Sequence, residues 1–533
     1  MSTADGEPDP VAEEPFAPGE SRRALSGGIW NAAATVMPMV TTLLLSVVIN
    51  RTLGIEAQGV QNFIAYVASL AVALPVMPLF SASVQALSAA RGRGAALDAA
   101  WLARVSLVLH VGVGVVSGAA LVLLGLARGN EQLAWAIAGG TVGIDAASWA
   151  LSARSIARDG WGPVGVRRLV TQATAPLLGI VALLAGLGVA GVFLAQAIAS
   201  VALLVAVWSI RGGRDRPGQV VLTRPPMRLR PLAGLVGMFT LVSLLTQVVE
   251  RRLELLFLDV YSTAREIAVY SIAFALVSMA YYVCTSTTGA ASSSIAAVAA
   301  SGDTTRVQQA ISRALRVLVA IAVLLAAALA SVGPSLIRVV YQDAERAAAL
   351  VPWLCLTLLC APVAHLLQQY WQGVGRLTPV LAGMSIGAVA DIALAFLLVP
   401  DHGAAGAVAA NVTGQTVAAT VVVGWTARRL RGLRLPPAVV LRAAAVAVPS
   451  AAAALGAGAL GGWIGLMAGG ATFLAVAFAV SRVVPVLGAD DVAWLQGALP
   501  GRLAGVASAV LTPGLPRRAR STVGSDSAGG HRP

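Results

Sequence analysis

The side chains in this chain that could do chemistry are few, and they sit where they are costly. The stretch QVVERRLELLFL, Gln247 to Leu258, sets Glu250, Arg251, Arg252 and Glu254 side by side in a sequence that is 57% hydrophobic and 11% charged. An Arg at the centre of a membrane helix costs about 2.5 to 3.5 kcal/mol, and less near the interface. Opposite charges three or four residues apart offset part of that within a helix. Two readings are open: an interfacial cap, or charge facing a water-filled cavity. Polar stripes favour the cavity. Asn31, Thr35, Pro38, Thr42, Ser46 and Asn50 recur at spacings that fall on one helical face, and Thr240, Ser243, Gln247, Glu250 or Arg251, and Glu254 do the same later. Asn62, Tyr66 and Ser69 form a third stripe, and Ser271, Ser278, Tyr282, Thr285 and Thr288 a fourth. Single Ser and Thr hydroxyls can bond their own helix backbone, but lipid accepts no such repeated face, so the stripes point inward.

The elements that must position these residues are membrane helices. A mean hydropathy of +0.81 over 533 residues does not suit a soluble protein. A bilayer core about 30 Å thick needs roughly 20 apolar residues per helix. Fourteen such runs are predicted, at 26–50, 60–83, 103–127, 132–152, 168–187, 189–210, 231–250, 267–288, 315–333, 349–371, 379–399, 404–426, 439–460 and 463–484. Trp30, Trp101, Trp135, Trp149, Trp208, Trp353, Trp371, Trp425 and Trp463 fall near their ends, as the headgroup preference of Trp predicts. Cys284, Cys355 and Cys360 lie within runs and read as small buried hydrophobes. The fold class is therefore all-α and polytopic.

Net charge is +13, and every one of the 37 basic residues is Arg. With the N-terminus in the cytoplasm, all but seven of them fall in cytoplasmic segments. That is the positive-inside pattern, so both termini are expected inside and the basic excess reads as topology and attraction to membrane lipid, not nucleic-acid binding. A basic segment, 211–230, divides six helices (25–210) from the next six (231–426); helices thirteen and fourteen (427–484) follow. Residues 1–24 and 485–533 are expected as cytoplasmic tails, the first disordered, the second with a short interfacial helix near 489–511. The halves repeat. LGIEAQGVQNFIAYVASLA (Leu53 to Ala71) aligns with YSTAREIAVYSIAFALVSMA (Tyr261 to Ala280), and GLGVAGVFLAQAIAS (Gly186 to Ser200) with DHGAAGAVAANVTGQ (Asp401 to Gln415). Parallel six-helix repeats place a substrate path between two lobes.

These residues carry a family likeness. RLELLFL (Arg252 to Leu258) followed by IAVYSIAF (Ile267 to Phe274) resembles the seventh-to-eighth helix signature of bacterial polysaccharide flippases, O-antigen type, in the multidrug, oligosaccharidyl-lipid and polysaccharide exporter superfamily. RTLG (Arg51 to Gly54) with Gly59 resembles the loop after the family's first helix; Gly375-Arg376 and GAAGA (Gly403 to Ala407) resemble the two ends of its eleventh. The resemblance covers roughly residues 20–485. It implies alternating-access flipping of a polyprenyl-pyrophosphate-linked oligosaccharide at the plasma membrane, with a polysaccharide polymerase or ligase as partner. One departure is Asp391, where the family pattern expects Asn. A lipid II flippase is the second reading and a small-molecule exporter the third; multidrug antiporters of this fold usually place a carboxylate in the cation-coupling lobe, and the first helix here has none.

For such a headgroup the planar fork of Arg suits pyrophosphate, while amides, hydroxyls and aromatic faces suit sugar. Arg51, Arg251 and Arg252 are the expected headgroup contacts, with Asn31, Thr35, Asn50, Asn62, Tyr66, Gln247, Tyr270 and Tyr282 along the path and Glu254 orienting Arg251 or competing for it. His110 and Asp145 lie at similar predicted depth and are expected as a possible coupling pair; His365, Gln368 and Gln372 share another face. A membrane-embedded glycosyl or phosphoryl transferase would need an acidic metal cluster or a positioned acid and base. The pairs Asp343/Glu345 and Asp490/Asp491 fall in a loop and a tail, and no His/Cys cluster has metal spacing, so no enzyme, metal or cofactor is expected.

Overall fold

The structure is a computed structural model that describes the backbone of residues 18–92, 96–158, 161–210, 229–249, 252–300, 304–374, 376–430, 437–488 and 491–492. It is all-helical. The helices are α1 (Pro18–Ala73), α2 (Val76–Gly92), α3 (Ala96–Arg128), α4 (Gln132–Ile156), α5 (Trp161–Leu184), α6 (Gly188–Trp208), α7 (Leu229–Val249), α8 (Glu254–Tyr261), α9 (Ala264–Ala300), α10 (Thr304–Val340), α11 (Glu345–Leu354), α12 (Thr357–Gly373), α13 (Thr378–His402), α14 (Ala404–Arg429), α15 (Pro437–Gly458) and α16 (Gly462–Ser481). Helices are what these runs must form, since lipid offers no partner for a backbone amide. Among the described residues, ten helical stretches are long and apolar enough to cross a membrane, or twelve with the bent pairs α7/α8 and α11/α12 each taken as one. One stretch, Met37–Arg91, holds the second predicted run and the first from Met37 on. The remaining run is α4, long enough but made more polar by Asp145, Ser148 and Ser152. Each of the fourteen predicted runs thus overlaps one of the helices, the second crossing from α1 into α2.

One turn and one close approach decide the packing. α1 turns back at Gly54, whose φ of 88° only Gly holds without strain. A straight helix would separate Ser46 from Gln58 by about 18 Å, yet the Gln58 amide donates to the Ser46 hydroxyl at 2.6 Å. Further on, the backbone of α1 runs against the start of α9, and a Cβ at Gly59 would stand 1.8 Å from the Ala264 carbonyl oxygen. The two aligned segments, 53–71 and 261–280, therefore pack on each other. Helices α3 to α6 pack together and on α1, α7 to α14 pack together, and the two sets meet along α1/α9 and α2/α7. The pair α15/α16 packs on α10.

The structure corrects several expectations. α1 begins at Pro18, within the segment expected to be disordered. Trp135 and Trp371 are buried rather than interfacial: Trp135 packs edge-on to Phe63, and Trp371 donates to the Thr426 hydroxyl at 2.9 Å, so each indole finds its partners inside the bundle. Trp208, Trp353 and Trp463 are exposed, as expected. Asp491 is not a free tail residue; it takes a bidentate ion pair from Arg316 of α10, with Nη2 to Oδ1 at 2.6 Å, while Val492 buries beside it. Residues 211–228 of the predicted linker 211–230 and the predicted interfacial helix beyond Val492 lie outside the described residues.

Candidate functional site

A cavity of about 810 Å³ opens between α1, α4, α5 and α6 on one side and α7 and α9 on the other. Its wall shows why the stripes exist. Pro38, Thr42 and Ser46 come from α1 before the Gly54 turn; Gln61, Asn62, Tyr66 and Ser69 come from α1 after it; Ser271, Ser278 and Tyr282 come from α9. Gln247 lies in the last turn of α7, and Arg252 follows in the break, its guanidinium 5.6 Å from the Phe274 ring centroid. Of the residues expected to line a path, Asn62, Tyr66, Gln247, Arg252 and Tyr282 share this one wall. Arg251 and the side chains of Asn31 and Thr35 lie outside the described residues.

Arg51, Asn50, Glu254 and Tyr270 are placed elsewhere. Arg51 reaches across the Gly54 end of the bundle, donating to the Val340 and Val339 carbonyls at 2.8 and 2.9 Å. The Asn50 side chain accepts from the Gln342 amide at 2.6 Å, and the Tyr341 hydroxyl donates to Ser46 at 3.2 Å. Arg128 adds a bidentate pair with Asp259, one bond being 2.7 Å, and stacks 4.7 Å over Phe63. Glu266 ties the same end together on the other side, accepting from Arg346 and from the Ala404 amide at 2.9 Å. These contacts join α1 and α3 to α8 and α10, so the Gly54 end is shut.

Glu254 is buried and not an interfacial charge. Arg252 and Leu253 are not helical and α8 starts at Glu254, which turns inward to 1% exposure. Its two oxygens accept from Asn411 of α14 at 2.7 Å and from the Tyr270 hydroxyl at 2.9 Å. Gln415 donates in turn to Asn411 at 2.8 Å. Asp391 of α13 faces the same carboxylate from the far side, buried, and neither of its oxygens has a donor. Two buried carboxyl groups in contact are complete only with a proton or a cation between them. Asn411 and Gln415 were not singled out in the sequence, although they occupy the places that align with Gln196 and Ser200 of the first half. Those two line the cavity.

His110 and Asp145 do not pair. His110 Nδ1 sits 2.6 Å from the Ser106 carbonyl on its own helix, because i and i+4 share a face there. Asp145 faces Ser200 and the cavity. Near it is a residue the sequence reading passed over, Arg168 of α5, which also lines the cavity. His365 contacts Gln369 at 3.4 Å, without a carboxylate. No group of three or more His, Cys, Asp or Glu among the described residues has metal-binding geometry.

A helical bundle whose two packed sets enclose a polar chamber, shut at one end, is the architecture of a membrane transporter. Residues 240–397 match the MatE family profile. The whole fold is similar to an inward-facing multidrug resistance MATE family transporter of the MOP superfamily, with a TM-score of 0.58 and 19% identity over 75% of this chain and 98% of that one. It is equally similar to the lipid II flippase MurJ in an inward closed conformation, with a TM-score of 0.58 and 12% identity over 84% and 98%. A MOP superfamily transporter from Pyrococcus furiosus, reported to have a binding pocket of reverse polarity, matches with a TM-score of 0.57 and 16% identity over 78% and 97%. No curated protein sequence matches. The chain has the MOP transporter fold.

Proposed function

We propose that this protein is an alternating-access flippase that carries the headgroup of a polyprenyl-pyrophosphate-linked oligosaccharide across the plasma membrane. The observation that carries the reading is the wall of the cavity. Its ionisable residues among those described are Asp145, Arg168 and Arg252, a net positive set, and the rest of its polar surface is amide and hydroxyl: Gln61, Asn62, Gln172, Gln196, Gln247, Tyr66 and Tyr282. Guanidinium groups suit phosphate, and neutral donors and acceptors suit sugar hydroxyls. A volume of about 810 Å³ fits a headgroup, within the roughly 300 to 1,000 Å³ of small-molecule sites; the isoprenoid tail stays in lipid. By the Arg distribution the Gly54 end faces outward, both termini face the cytoplasm, and the state described is closed to the outside. Glu254 and Asp391 supply the place where a proton or cation couples to the cycle. The product would pass to a polymerase or ligase.

Export of a small molecule is the second reading, favoured by the MatE match over 240–397. A fluorescent polyprenyl-pyrophosphate oligosaccharide in both leaflets of proteoliposomes separates the two. Protein-dependent exposure of the inner pool to an impermeant quencher supports flipping. Full protection across several glycans, together with uptake of a soluble cation, establishes the exporter instead.

A further inference from the structure

Arg168 is an uncommon residue to find on a membrane helix, and its surroundings are built around it. The guanidinium carbon lies 3.3 Å from the ring centroid of Trp149 on α4, a face-on stack. Trp149 is itself braced edge-on by Phe80 at 4.7 Å. One Nη of Arg168 donates to the Ser152 hydroxyl at 3.1 Å, one turn of helix from Trp149, and its buried Nε has no partner. Asp145, one turn of α4 on the other side of Trp149, also lines the cavity, yet it forms no ion pair with Arg168; it faces the Ser200 hydroxyl. The guanidinium is thus fixed in plane by an aromatic plate and a single hydroxyl, most of its five donors remain unused, and the nearest carboxylate stands back from it.

That arrangement differs from a structural ion pair. A structural pair closes up, because an open one leaves both charges desolvated without contact. Gln172 follows Arg168 on the cavity face of α5, so an amide lines the approach; the Thr171 hydroxyl donates to the Arg167 carbonyl at 2.9 Å and leaves its oxygen to the cavity. We propose that Arg168, held flat on Trp149, is a seat for a phosphate or pyrophosphate oxyanion entering the cavity, and that Asp145 is the resident counter-charge whose field on Arg168 the bound anion must overcome. This rests on the reading of the cavity as a headgroup path and names the residue that takes its anionic part.

The test is binding by the full-length protein in nanodiscs, with two probes: inorganic pyrophosphate, and a short-chain polyprenyl pyrophosphate without sugar. Arg168→Gln is expected to weaken both by at least about tenfold, as for loss of a charge-assisted pair. Asp145→Asn is expected to tighten both by about threefold or more. This opposite sign is one that a merely structural carboxylate would not produce. Binding of the lipid probe alone, with the same two signs, assigns the seat to a membrane-borne headgroup; binding of both makes it a general oxyanion seat. An unchanged affinity in Arg168→Gln, or weaker binding in Asp145→Asn, overturns the proposal. Should Arg168→Gln not fold, the sign in Asp145→Asn decides. If anion binding shows both signs while proteoliposomes flip no glycolipid, the flippase reading falls and the seat stands; if Arg168→Gln flips normally, the reverse holds.

Discussion

The carboxyl groups of Glu254 and Asp391 face each other in the interior, from the start of α8 and the middle of α13, and only Glu254 is supplied with donors, by Asn411 and Tyr270. Among the ion pairs of the described residues, none includes Glu254 or Asp391. A buried polar atom left without a partner costs about 1 to 3 kcal/mol, so the site favours whatever fills the gap.

Asp391→Asn places an amide donor where the second carboxyl stood. Thermal unfolding in detergent is expected to hold steady or rise, while glycolipid flipping loses its dependence on an imposed proton or sodium gradient. Retained gradient dependence in a folded Asp391→Asn protein would separate this pair from energy coupling.

Gly59→Ala tests the contact between the two repeated segments. The new Cβ meets the Ala264 backbone carbonyl, which cannot swing aside, and overpacking of this kind costs about 1 to 3 kcal/mol or more. A clear drop in melting temperature is expected. Gly112→Ala on α3, whose Cβ meets nothing within 4 Å, serves as the control and is expected to leave it unchanged or raised, since Ala favours helix by up to about 1 kcal/mol.

Arg128 and Asp259 join α3 to α8 across the closed end. Exposed pairs contribute about 0.2 to 1 kcal/mol, and this one adds a stack on Phe63. Arg128→Ala is expected to raise the fraction of molecules open at the Gly54 end several-fold, read as the distance distribution between spin labels on α3 and α8. The double swap Arg128→Asp with Asp259→Arg should restore the closed fraction. An unaltered distribution in Arg128→Ala would show that Arg51 and Asn50 hold this end without it.

Asp491→Ala removes the carboxylate that Arg316 grips from two nitrogens. Asp491 is 4% exposed, and breaking a buried pair costs about 3 to 5 kcal/mol, less here because Arg316 is partly solvated. A lower melting temperature and faster proteolysis after Leu487 are expected; a second loss on adding Arg316→Ala would mean that the two residues act independently.

The sequence by itself determined the membrane class, the helical runs, the inward-facing stripes and the repeat, because each follows from local periodicity and from what lipid will not solvate. Pro38, Thr42, Ser46, Asn62, Tyr66, Gln247, Arg252 and Tyr282 were legible for that reason. What only the tertiary structure decided is which polar residues meet. Glu254 and Asp391 are far apart in the chain, and Asp391 belongs to none of the stripes, so nothing local joins them; the break between α7 and α8 turns Glu254 toward α13 and α14. His110 and Asp145 share a depth but not a facing side, and depth is all that a run of apolar residues encodes. Arg168 stands at the edge of an apolar run, where sequence reads it as a helix end, and it becomes a cavity residue only because α4 offers Trp149 and Ser152 to hold it. Arg51 looked like a headgroup contact by residue type, yet two backbone carbonyls at the end of α10 claim it. Charge and spacing name the groups that must leave lipid, and the packing of helices distant in sequence selects their partners.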